Sequence, residues 1–120
     1  MDVEKCVKCL QALCRHQADF NARDESGMTP VHYAAAFDIF QAIDLLSEAG
    51  ADMNTQDSNG RTPLAVAAQS DDVECVELLL QAGVQPSPRD VDGVTPLHLA
   101  SREGNDKLIR ILIDHGADPD

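Results

Sequence analysis

The residues with the most chemical potential sit at the start of the chain. Cys6-x-x-Cys9 is followed by Cys14 and His16, four groups that bind soft metals. Tetrahedral zinc needs four such ligands converging on one point. On one helix, Cys6, Cys9 and Cys14 do share a face, but Val3, Val7, Leu10 and Leu13 share it too, and no second ligand pair follows downstream. The reading is therefore buried thiols, with no metal and no cofactor. His32 and His98 have the side chain most used for general acid–base work. Each lies three residues after a threonine, in Thr29-Pro30-Val31-His32 and Thr95-Pro96-Leu97-His98, and that spacing is a helix start. No Ser/His/Asp or Cys/His set is tied together by spacing, and every glycine is explained without a phosphate loop. Asp71, Asp72, Glu74 and Glu77 read as the outer, solvated face of a helix, not as general acids or a calcium site. No catalytic set emerges, and the chain is not expected to be an enzyme.

The helix start is what positions everything else. Threonine caps a free N–H of the first turn, proline presets the first helical φ, and a residue at the third helical position can bond back to the cap. Thr62-Pro63-Leu64-Ala65-Val66-Ala67 repeats the pattern between the other two, and the spacing is 33 residues each time. Gly27, Gly60 and Gly93 keep the same frame, as do Gly50, Gly83 and Gly116, and Asp24, Asp57 and Asp90. A period held by several independent residue types decides the fold: an all-α solenoid of stacked helix-turn-helix units with protruding hairpin-like loops.

In that frame the chain is one domain, 1–120. A partial repeat occupies 1–17, full repeats occupy 18–50, 51–83 and 84–116, and 117–120 begins a further connector. The segment 1–17 reads as an amphipathic helix. First helices run from each Thr-Pro start to about Ala36, Gln69 or Arg102, and second helices cover Phe40–Glu48, Val73–Gln81 and Lys107–His115. The connectors carry Asx residues and a glycine, which is turn chemistry, with strands too short to count as a sheet.

Composition narrows the function. Aromatics are 3% and Trp is absent, so the core must be built from Ala, Leu, Ile and Val, which suits closely packed helices. A net charge of −12 argues against a phosphate footprint and against docking on anionic membrane. No apolar run is long enough to span a bilayer, and the charged N-terminus runs into no signal-like segment. The expectation is a cytoplasmic or nuclear protein with reduced thiols.

With these motifs in place, the chain resembles the ankyrin-repeat family, whose pattern is Gly-x-Thr-Pro-Leu-His-x-Ala, a leucine-rich second helix and Gly-Ala-Asp-x-Asn. The last element stands here as Gly50-Ala51-Asp52-Met53-Asn54 and Gly116-Ala117-Asp118. Departures are Ala65 in place of the motif histidine, costing about 1 kcal/mol, Val84-Gln85-Pro86-Ser87-Pro88 in the third connector, and Asp38 and Asp71 where Gly104 keeps the family glycine.

The resemblance implies a non-catalytic protein-interaction module that binds a protein or peptide partner on loop tips and first helices. Carried over, the loop-tip positions are Arg23, Glu25, Ser26 and Met28, then Gln56, Ser58, Asn59 and Arg61, then Arg89, Val91, Asp92 and Val94. The first-helix positions are Ala36 and Phe37, Gln69 and Ser70, and Arg102 and Glu103. This set holds four of the six arginines and one of three phenylalanines, the types enriched at binding hot spots. Two alternatives stay open: a regulatory or scaffolding segment of a larger enzyme or channel acting in cis, or a substrate for asparaginyl hydroxylation at Asn54 or Asn21. Leu108–Ile113 is as apolar as an interior helix, so further repeats or another chain are expected to cover that end.

Overall fold

The computed structural model describes residues 23–117. The segment 1–17, the Cys6/Cys9/Cys14/His16 group and Asn21 lie outside the described residues. Six helices follow in order: α1 Pro30–Ala36, α2 Phe40–Glu48, α3 Pro63–Gln69, α4 Val73–Gln81, α5 Pro96–Glu103 and α6 Asp106–Asp114. No strand occurs among the described residues.

Each odd-numbered helix begins as its sequence dictates. Thr62 Oγ1 accepts from Ala65 N at 3.3 Å and Thr95 Oγ1 from His98 N at 3.2 Å. His32 and His98 complete the arrangement, each Nδ1 accepting the backbone N–H of its own threonine at 3.1 Å. Ala65 has nothing to offer there. Three boundaries differ by a residue from those read in the sequence. α5 runs on to Glu103 and is stopped by Gly104 in the left-handed region, φ 70°. α6 starts at Asp106, because the Asn105 side chain caps it by accepting from Leu108 N at 3.1 Å, and His115 falls just past its end.

The helices form two layers. α1, α3 and α5 stack on one another, and α2, α4 and α6 form the second layer behind them. Ala34, Ala67 and Ala100, one frame apart, are fully buried, as are Ala35 and Ala68. Methyl-sized side chains here let first helices approach closely. Leu46, Leu79 and Leu112, also one frame apart, are fully buried at the same level of the second layer. Each is worth about 1.5–3 kcal/mol in apolar burial. The whole forms one continuous cluster running through the repeats.

At the turns between layers, Asp38 and Asp71 take φ of 62° and 60°, the conformation Gly104 supplies in the last repeat. Aspartate is one of the few side chains that visits this region.

Candidate functional site

The connectors project as three fingers built to one plan. The carboxylate of Asp24 accepts from Ser26 N and Met28 N, both at 2.9 Å. Asp57 does the same for Asn59 and Arg61, and Asp90 for Asp92 and Val94. Neighbouring fingers are bonded directly, Ser58 N to Ser26 O and Val91 N to Asn59 O, each at 3.0 Å. The approach is close: a Cβ on Gly27 would stand 2.7 Å from Ser58 N, and one on Gly60 2.9 Å from Val91 N.

Two residues read from the sequence as loop-tip positions tie the fingers together. Arg23 donates to the Gln56 carbonyl and, at 2.8 Å, to Thr55 Oγ1. Gln56, one frame on, donates to Gly60 O at 3.0 Å and Arg89 O at 3.4 Å. The signal was present in the sequence, as a long donor side chain at the residue before each finger's aspartate. Arg61 is also engaged: its guanidinium donates to Gln69 Oε1, and its Nε lies 3.6 Å from Asp90. Burial pushes the Asp90 carboxyl up, but the Val94 and Asp92 amides and the Arg61 charge outweigh it and hold it below its usual range. Arg89 and Arg102 are exposed and have no side-chain partner among the described residues.

The remaining positions are surface. Glu25, Ser26, Ser58, Asn59, Asp92, Ser70 and Glu103 are exposed, Val91 is 69% exposed, and Met28, Val94 and Ala36 are half-buried. Phe37 is 38% exposed and lies parallel to Tyr33, with ring centroids 6.3 Å apart and planes 7° from parallel. Tyr33 itself is 37% exposed. The sequence reading missed it, although the four-residue spacing puts both rings on one helical face. The Tyr33 hydroxyl donates to the Asp24 carboxylate, which fixes the ring at the base of the first finger. That bond and the Met28 amide lower the Asp24 pKa, and the Asp24 carboxylate raises that of Tyr33.

The chemistry-bearing residues are committed to structure. His32 is fully buried. Its Nδ1 accepts from Thr29 N, so its Nε2 must carry the proton, donated to Arg61 O at 2.8 Å. Burial lowers its pKa and keeps the ring neutral. The ring thus staples the first helix start to the second finger and has no nitrogen left for proton transfer. The Cys75 thiol is buried, and desolvation together with Asp72 and Asp38 drives its pKa far up. It is held as a protonated, inert thiol. Asn54 Oδ1 accepts from Gln85 N at 2.8 Å, joining one connector to the next.

At the last described helix, Ile109 is half-buried and Ile113 is 45% exposed. Their frame equivalents in α4, Val76 and Leu80, are 0% and 7% exposed. α6 presents the face that interior second helices cover with the next repeat.

Comparison with known proteins fits this geometry. No curated protein matches the chain. The family model described as "Ankyrin repeats (3 copies)" matches residues 3–57 and 38–120, which together span nearly the whole chain. Members of that family are generally protein-interaction modules and typically non-catalytic. The Thr-Pro helix starts and the two helical layers agree with that match, and the chain belongs to the ankyrin-repeat family.

Proposed function

We propose that this chain is a non-catalytic module that captures a protein or peptide partner on the face formed by its fingers and first helices, with Tyr33 and Phe37 as the anchor. The carrying observation is the exposed parallel aromatic pair, in a chain with 3% aromatic residues. Large rigid rings supply contact area at small entropic cost. Charge gives the face little steering: Arg23, Arg61, Arg89 and Arg102 are set against Asp24, Glu25, Asp57, Asp90, Asp92 and Glu103. Recognition then rests on shape and on the apolar anchor, with Arg89, Arg102 and Val91 as exposed side chains farther along the repeats.

The test is affinity capture with the wild type against Phe37→Ala combined with Val91→Ser, read by mass spectrometry. Both positions are exposed, so helicity and melting are expected to hold while the captured partner is lost. A partner retained at wild-type level by a folded variant refutes the assignment.

A second reading, a regulatory segment that acts within a larger assembly, is favoured by α6. Its Ile109/Ile113 face offers an apolar surface for a further repeat or another chain. Ile113→Lys is expected to abolish any self-association seen by light scattering; unchanged association counts against this reading.

A further inference from the structure

We propose that the junction between the first and second described repeats is a pH-sensitive latch, closed by one proton held between Asp38 and Asp72. The two carboxyls come from different repeats. Asp38 sits in the turn between α1 and α2, and Asp72 is the N-cap of α4, accepting from Cys75 N at 3.3 Å. Oxygens of both, with the Cys75 sulfur, lie within 4.8 Å of one another. The Cys75 thiol donates to Asp38 Oδ1 at 3.8 Å.

The molecule contains its own reference for this contact. One frame on, the same two positions are Asp71 and Asn105. There the Asn105 amide donates to Asp71 Oδ1 at 2.6 Å, a bond that needs no added proton. The first junction replaces that amide with a second carboxyl. Two carboxylates have no hydrogen between them, so the same bond forms only when one is protonated.

Among the described residues, only the Cys75 S–H and N–H donors, to Asp38 and Asp72, offset the repulsion when neither is. Glu74 adds a further negative charge from α4, and Cys75 contributes only a neutral thiol. No Lys or Arg occurs between residues 24 and 60 or between 62 and 88, so helices α1 to α4 bring no cation to the site. His32, the ionisable group on α1 besides Tyr33, is kept neutral by burial. Consistent with this, the hydrogen bond that protonated Asp38 donates to Asp72, desolvation and the Asp72 and Glu74 charges raise the Asp38 pKa to about 6. A carboxyl raised in the folded state contributes stability that is full below its unfolded value. That contribution is lost as pH rises through the folded one. The window therefore runs from the ordinary value of 3.8 to about 6. Above it the first junction carries an open, mutually repelling pair, while the Asp71–Asn105 junction stays bonded.

The experiment is a carboxyl-carbon NMR titration of the full chain, wild type against Asp72→Asn, with urea midpoints taken across the same range. Asparagine caps a helix as well as aspartate and recreates the Asp71–Asn105 pair. The expected result is an Asp38 transition near pH 6 in the wild type, moved to about 4 in Asp72→Asn. The wild-type urea midpoint should drop relative to the variant as pH rises through that window. Taking the difference between the two proteins cancels the His32 contribution. Asp38→Gly, whose backbone already has φ 62°, should abolish the same pH-dependent difference by a second route. An Asp38 transition near 4 in the wild type overturns the latch, and so does an unchanged pH dependence in both variants.

Discussion

His32 and His98 stand at the same place in the repeat, yet their removal should have very different consequences. In His32→Ala, Nε2–H no longer bonds the Arg61 carbonyl. That oxygen still accepts from Asp57 N at 2.9 Å, so this loss is a single net hydrogen bond, about 1 kcal/mol. Thr29 N–H is a harsher case. It lies in a residue 1% exposed and would be left without an acceptor, costing about 1–3 kcal/mol. Together the expected loss is about 2–4 kcal/mol, before any packing defect. His98 makes the matching bond to Thr95 N but is itself exposed, so water can replace it, and no Nε2 bond is lost among the described residues. Its removal should cost about 1 kcal/mol. The variants should still fold, because Ala65 shows a complete helix start with alanine in this position. The assay is urea denaturation above about pH 7, where free histidine is neutral. Equal losses for the two variants, or a larger loss for His98→Ala, would refute the assignment of His32 as an inter-repeat staple.

The remaining predictions use other parts of the same frame. Because burial lowers the His32 pKa, the unfolded chain takes up a proton below about pH 6.5 that the folded chain refuses. That term of wild-type stability is present above the window and falls as pH drops through it, and His32→Ala should remove it from urea midpoints measured across the range. Gly93→Ala should cost about 1–2 kcal/mol for its φ of 78° alone. Gly60→Ala, at almost the same φ, should cost about 1–3 kcal/mol more, because its Cβ would meet Val91 N; thermal melting of the two separates strain from clash. Leu79→Ala, in the middle of the fully buried leucine row, should lose about 2–5 kcal/mol in the same assay.

How much of this was legible in the sequence depends on the range of the interaction. Helix starts were legible because Thr, Pro and the third-position histidine act within one turn. α2 and α4 have the bounds their sequence implies, whereas α6 begins a residue early because the Asn105 cap outweighs the pattern of its apolar face. The fold followed because one local solution, repeated at 33 residues, has few ways to stack. Contacts between repeats were less legible. Arg23 and Gln56 looked like free loop-tip side chains because their acceptors, Gln56 O and Arg89 O, are backbone atoms of the next finger. Backbone acceptors leave no mark in residue type. Asp38 was legible only as a departure from glycine; Asp71 and Asp72 were also read as part of a helix's outer face, but Asp71 lies in the turn and Asp72 is the N-cap of α4. The partners of Asp38 and Asp71 each sit 34 residues away in a different repeat. Yet the frame itself carries the information once pairs of positions are compared and not single ones. The pair Asp71–Asn105 is complementary as written, and the pair Asp38–Asp72 is not. In a repeat protein the informative departures are therefore those that change a contact between repeats, because the unchanged copy shows what the contact would otherwise have been.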